Sequence, residues 1–497
     1  MREFSGQVAL SSRCGRLVVA TTVLGSAITM LTGTVVAVAL PAIATDLGAT
    51  SAQQQWVVNA FLLSLASLIL VGGSLGDRFG RLRIYRFGVV WFAAASLVCA
   101  VAPDIDALIA ARLLQGVGAA LLVPGSLAII QATLRAEDTG RGVGLWSGLS
   151  GIAAAVGPLL GGLLVALSWR WVFVINIPVA LLVLLLSTRV PESKDPTAKD
   201  VDIDVVGAVL TATTLGGLSY ALIGAGGRFG AVEMVCLAVA VLAATALAIY
   251  EPRREHAMLP LDLFSNRGFA TANAITFLIY GGLGLVFFLL QIQLQVAAGW
   301  SPIRAGVALL PVTLIMLVLS ARAGAIAQRI GPRWPLTAGP LTMAAGMVLL
   351  SRIDREATYL QDVLPAVTVF GLGLAASVAP VTSAALGSVP PTRSGAASGT
   401  NNAVSRTGQL LAVAAIPPAV GLSGDALSQP EVLTVGFRTA MLAAAALVGL
   451  GGLTSAVFLR SQDKPEAALR KPRYACQVDG TQVGVADLRQ VEKPRSA

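Results

Sequence analysis

Charge, cysteine and histidine are all scarce in this sequence. Of 497 residues only 12% are charged, four are cysteine and one, His256, is histidine. Cys14, Cys99, Cys236 and Cys476 form no Cys-x-x-Cys pair, which favours small packing residues over a disulfide or a metal site. A single histidine excludes the His-Glu-x-x-His zinc pair. No Gly-x-x-x-x-Gly-Lys-Ser/Thr string occurs, which argues against direct ATP drive. No metal site, catalytic residue or enzymatic activity is therefore expected. Scarcest of all is negative charge inside the apolar stretches: Asp, Glu and His are absent from the middle of every one of them.

What is present is apolar surface. Hydrophobic residues make up 55% of the chain and the mean hydropathy is +0.78. A soluble core stops growing at roughly 250–300 residues, whereas a bilayer solvates apolar faces directly. A membrane span takes about 20 apolar residues, and only helices or closed barrels satisfy the backbone there. The runs here are continuous rather than alternating, so the expectation is an all-α integral membrane protein. Spans are expected near 17–41, 55–75, 84–102, 107–132, 143–167, 171–188, 205–225, 232–250, 269–296, 303–327, 335–351, 362–388, 399–420 and 436–459, fourteen in number. The first apolar run, Leu17 to Leu40, is too long for the core of a signal peptide and reads as a retained helix.

The net charge is +9. Its distribution fits a bilayer better than nucleic acid, because the cations cluster in short loops. An even number of spans puts both termini on one side. Of 35 Lys and Arg, all but Arg112, Arg170, Arg228, Arg304, Arg352, Arg355 and Arg438 are assigned to that side, which the positive-inside rule makes cytoplasmic. In that count Arg322 and Arg406 go with the loops.

Two polar segments, Pro191–Asp204 and Glu251–Gly268, flank a single pair of helices. The expected organisation is a six-helix bundle over 1–189, an inserted pair with its flanking loops over 190–268, a second six-helix bundle over 269–460, and a mobile, disordered charged cytoplasmic tail over 461–497. The two groups of six echo each other. Gly76-Asp77-Arg78-Phe79-Gly80-Arg81 follows the second helix of the first, and Ala327-Gln328-Arg329-Ile330-Gly331-Pro332-Arg333 follows the second helix of the other. That echo fits internal duplication, common among secondary carriers.

The segment from Gly73 to Arg83, with Gly73, Asp77, Arg78, Gly80, Arg81 and Arg83, resembles the loop signature G-x-L-a-D-r-x-G-r-k of the major facilitator superfamily. Leu108–Ala120 resembles the fourth-helix motif of that family through Arg112, Gln115, Gly116 and Gly118. Gly157-Pro158-Leu159-Leu160-Gly161-Gly162 is similar to its fifth-helix antiporter motif. Leu40–Ile43, Asp46–Gly48, Trp169–Pro178, Leu294–Pro302 and Gly395–Gly408 fit the fourteen-helix drug/proton antiporter subfamily of bacterial multidrug efflux. The resemblance implies the major facilitator fold, a conformational latch at the Gly73–Arg83 loop, and export rather than import. It also implies the proton gradient as energy source with no cofactor, and a role for Arg112 in proton coupling. A cation just inside an apolar run is costly in lipid and faces a cavity by default; snorkelling to the interface is the alternative.

The chain departs from the subfamily in its first helix, where an acidic residue is usual. Thr32 takes the Asp position and Ala37 the Asn position. Without a buried carboxylate, neutral or anionic lipophilic cargo gains over organic cations. The proton-coupling candidates are Arg112, Asp46 and Asp106, with Asp77 a further one. Cavity candidates are Asn59, Gln291, Gln295, Thr32 and Asn401, followed by Thr34, Trp56, Phe61, Tyr280 and Asn402; each could instead bridge helices or sit at an interface. The functional expectation is a plasma-membrane exporter of small lipophilic molecules by proton antiport. Its partners are the substrate, protons and the bilayer, and the sequence leaves the oligomeric state open, a monomer being compatible. Alternatives are an exporter or flippase of an endogenous lipid or secreted metabolite, and a non-transporting sensor or scaffold.

Overall fold

A computed structural model of the chain describes residues 8–194, 203–226, 230–254, 258–390 and 393–459. His256, Cys476, Arg228 and the tail 461–497 lie outside the described residues. The first group of helices is α1 (Arg13–Leu47), α2 (Ser51–Phe79), α3 (Arg81–Ala100), α4 (Ile105–Thr133), α5 (Ala136–Leu167), the short α6 (Trp171–Val174) and α7 (Asn176–Ser187). Next come α8 (Val205–Gly224) and α9 (Ala231–Tyr250). The last group is α10 (Arg267–Ile292), α11 (Pro302–Val307), α12 (Leu310–Ile330), α13 (Arg333–Leu350), α14 (Leu364–Gly387), α15 (Ser394–Ala419) and α16 (Pro430–Phe458). Among the described residues, ten helices are long and apolar enough to cross a membrane.

Helix starts are written locally. Thr50 and Gln53 form a reciprocal capping box at α2, and Asp104 accepts from Ala107 N at α4. Gly48 closes α1 in the left-handed region at φ 63°. Large apolar side chains such as Leu182, Leu185, Val235 and Leu242 stand exposed on the outside. On a soluble protein such a surface would aggregate; in a bilayer it meets lipid.

The packing pattern repeats. In the first group α2 packs on α4, α3 on α4, α1 on α5 and α7, and α3 on α7. In the last group α12 packs on α14, α13 on α14, α10 on α15 and α16, and α13 on α16. The contacts between the groups follow the same exchange, α2 on α15 and α12 on α5. Helix α8 lies against both α2 and α15, while α9 packs mainly on α8.

Candidate functional site

A cavity of about 860 Å³ opens at the helix ends that carry the Gly73–Arg81 segment. Its wall includes Gly73, Asp77 and Arg81, Gln131 of α4, Trp146 of α5, and Gly399 and Asn402 of α15. Asp204, Glu251 and Met258–Asp262, which flank α8 and α9, complete the mouth. The Gly73–Arg81 segment is not a loop as the sequence suggests: Gly73–Phe79 form the last turns of α2 and Arg81 starts α3, so Gly80 alone makes the connection. Gly80 adopts φ 111°, a region L side chains avoid, and a Cβ there would stand 3.0 Å from Glu192 Oε1. Glu192 accepts from Leu82 N at 2.9 Å, and Ser193 O from Arg81 N at 3.0 Å. Asp77 pairs with Arg81 at 2.7 Å. Arg78 stacks near Phe79 at 5.4 Å, and Arg83 is exposed. Across the mouth Arg393 makes a two-point ion pair with Asp262, and that guanidinium holds the Asp262 carboxyl below the usual carboxylate range.

The opposite end is sealed. Ser51 N donates to Gly424 O at 2.8 Å, Leu427 N to Ser51 Oγ at 3.1 Å, and Gln295 Nε2 to Val38 O at 3.0 Å. The main contact is between α5 and α11. A Cβ on Gly162 would lie 2.5 Å from Pro302 O, and one on Gly306 would lie 2.2 Å from Pro158 O. The other face of the same α5 motif meets α1: a Cβ on Gly157 would collide with Thr34 Oγ1 at 1.9 Å, and one on Gly161 would press on Val38 at 3.2 Å. The four-residue spacing therefore serves two helices at once.

Arg112 is buried at 1% exposure, so it does not snorkel. Its Nε donates to Val57 O at 2.9 Å, its Nη1 to Gln115 Oε1, and its plane lies 4.4 Å from the Phe61 ring centroid. Gln115 Nε2 continues to Ser96 Oγ at 2.7 Å, Asn176 Nδ2 reaches the same oxygen at 3.3 Å, and Thr32 Oγ1 lies 3.2 Å from Asn176 Oδ1. A polar chain thus runs from Arg112 to Thr32 with no carboxylate in it.

The other sequence candidates scatter. Asp46 sits at the sealed end, accepting from Trp169 Nε1 at 2.8 Å and Arg170 Nη1 at 2.9 Å. Asp106 meets Gln53 Nε2 at 3.4 Å. Gln291 Nε2 donates to Ala305 O at 3.2 Å, which places it with Gln295 near the seal. Asn401 bridges α15 to α10 through Asn273 and Thr276. Asn59 is fully buried and both its amide atoms lack partners. None of Asn59, Gln291, Gln295, Thr32 and Asn401 is in the cavity wall, whereas Asn402 is. Two features escaped the sequence reading. Asp204 and Glu251 are buried at the mouth, hidden among loop acids. Arg406, grouped with the loop cations, is in fact the middle of α15.

The sequence matches the Major Facilitator Superfamily profile over residues 22–413 and again over 273–493. It is 38% identical over 396 residues to the puromycin resistance protein pur8 of Streptomyces alboniger, covering 78% of each chain. It is 33% identical over 394 residues to the tetracenomycin C resistance and export protein of Streptomyces glaucescens, covering 78% of this chain and 72% of that one. The multidrug resistance protein Stp of Mycobacterium tuberculosis is 32% identical over 432 residues, 85% of this chain and 79% of that one. In fold it is similar to a D-xylose–proton symporter, with TM-score 0.62 at 15% identity over 90% of this chain and 98% of that one. A bacterial homologue of the lysosomal transporter Spinster in an inward-facing conformation gives TM-score 0.62 at 16% identity over 92% and 100%. The chain belongs to the major facilitator superfamily, and it is a membrane transporter rather than an enzyme.

Proposed function

We propose that this transporter exports small lipophilic molecules, drugs or antibiotics among them, across the plasma membrane by alternating access in exchange for protons. The observation that carries the reading is the one-ended cavity: open beside Asp77, and closed by the interlocking of Gly157–Gly162 with Pro302–Gly306. Export is supported by relatives whose names denote resistance and export. In this reading fourteen helices span the bilayer, α6 with α7 and α11 with α12 each serving as one broken span. Residues 1–189 and 269–460 are the two halves, supported by their repeated packing pattern, and 190–268 is the inserted pair. The open end faces the cytoplasm with both termini, as the positive-inside asymmetry favours. Asp77, Arg78, Gly80, Arg81 and Arg83 with Gly73 form the latch. Arg112 holds the polar chain that links proton movement to the first helix, and Asp46 and Asp106 act at the outer end. A monomer is sufficient for this mechanism.

The test is drug-dependent proton release from acidified everted vesicles containing the chain. Adding a lipophilic drug should discharge the pH gradient, and a protonophore should abolish drug accumulation. Accumulation that persists unchanged after the gradient has collapsed contradicts antiport. Accumulation of an envelope lipid or secreted product in a deletion strain with unchanged drug sensitivity points to endogenous cargo instead.

A further inference from the structure

Among the described residues, Arg406 is a cation without a counter-ion. It stands in the middle of α15, near the junction of the two halves. Its Nη1 lies 3.4 Å from Gln409 Oε1 and its Nη2 4.0 Å from Met30 Sδ of α1, both uncharged and both at the limit of bonding distance. Its Nε is buried with no hydrogen-bond partner among the described residues. Tyr280 of α10 lies beside it. Among the described residues no carboxylate forms an ion pair with it. A buried guanidinium carries a large desolvation cost unless an anion or several acceptors offset it.

Arg112 differs in this respect. Its Nε and Nη1 are engaged and its face is covered by Phe61. Arg406 also has the better location. On α15, Asn402 lies one turn and Gly399 two turns nearer the mouth, and both line the cavity. Met30 lies one turn beyond Ser26 on α1, and Ser26 accepts from Trp146, another cavity residue. Arg406 therefore stands one helical turn deeper than Asn402, just behind the cavity lining rather than in it, and the residue as a whole is half-buried. The mouth below carries both signs, with Asp77, Asp204, Glu251 and Asp262 against Arg81, Arg254 and Arg393. Further in, every Asp and Glu of the described helices has dropped out, since each lies close to a helix end.

We propose that Arg406 is the anchor for the anionic group of the substrate, so that the cargo class is lipophilic organic anions, a carboxylate or phenolate on an apolar body. This inference rests on the exporter reading and narrows it. A planar guanidinium with its Nε free can hold a carboxylate at two points. Asn402 and Trp146 then flank the apolar body.

The test uses two probes with the same apolar body, 1-pyrenebutyrate and the alcohol 1-pyrenebutanol, on the full chain in lipid nanodiscs and in proteoliposomes. Binding is read by pyrene fluorescence and transport by probe release. The wild type should bind the carboxylate about tenfold or more tightly than the alcohol, the range of a charge-assisted hydrogen bond. Arg406→Gln should abolish that preference while binding the alcohol as before. Arg406→Lys, which keeps charge but loses the fork, should retain part of it; this conservative variant separates anion binding from a folding defect. Equal binding of both probes by the wild type overturns the proposal, as does an unchanged preference in Arg406→Gln. Export of both probes alike by wild type and Arg406→Gln removes this inference and leaves the exporter reading standing. An Arg406-dependent preference without export of either probe does the reverse.

Discussion

Gly306 of α11 lies so close to Pro158 of α5 that a Cβ on the glycine would stand 2.2 Å from the proline carbonyl oxygen. Proline removes a donor from α5 and glycine removes a side chain from α11. Two backbones can then meet where ordinary residues would hold them apart. The closed end of the cavity depends on that approach.

Gly306→Ala should therefore destabilise the sealed state without unfolding the chain. An over-packed methyl costs about 1–3 kcal/mol, an expected shift of about fivefold to 150-fold in the gating equilibrium. Thiol labelling of Gln295→Cys, in a background lacking the four native cysteines, measures it. Labelling should accelerate in Gly306→Ala; an unchanged rate means the seal lies elsewhere.

Arg112→Ala removes donors to Val57 O and Gln115 and leaves that amide oxygen buried. The expected loss is about 1–3 kcal/mol of stability, together with drug-driven proton movement. Arg112→Lys should not restore coupling, because a point charge cannot serve both acceptors and the Phe61 face. Full coupling by the lysine variant would show that charge alone suffices.

At the mouth, the Asp262 carboxyl is held below its usual range by Arg393. A depressed folded-state value means the pair contributes stability above the ordinary carboxylate value and loses it as pH falls through the folded-state value. The pair is exposed, so the effect on global stability should stay below about 1 kcal/mol. Comparing Asp262→Asn with wild type by thermal unfolding should show a small difference at neutral pH that vanishes in strong acid. A difference that grows on acidification contradicts the assignment.

Thr32 stands at the far end of the polar chain from Arg112, at the position where the subfamily usually has an acid. Thr32→Asp places a carboxylate beside Asn176. Transport of a lipophilic cation such as ethidium should rise several-fold relative to an anionic dye. A fixed cation-to-anion ratio would show that the first helix does not select charge.

How legible all this was depends on the kind of residue. Arg112 could be read because one cation in an apolar run is conspicuous and costly in lipid. The Gly157–Gly162 motif could be read as a close-contact surface, but its partner could not, since α11 carries no matching signal beyond Gly306. Arg406 was missed for the opposite reason. The first turns of the span expected at 399–420 are rich in polar residues, so a cation there is inconspicuous, and the charge count grouped it with the adjoining loop. Gln291 and Gln295 stand out in the sequence as cavity candidates because an amide in an apolar helix suggests a ligand. Their carbonyl partners at the seal, Ala305 and Val38, are far away in sequence or in another helix, and only the fold brings them together.

The most direct test of the account measures both ends of the cavity together. Spin labels at Ser74 and Ala396 report the mouth, and labels at Thr45 and Ser301 report the sealed end. Double electron–electron resonance should show the first distance shortening as the second lengthens when drug is added and the pH is changed. Two distances that stay fixed, or that move in the same direction during active transport, would contradict alternating access through this cavity.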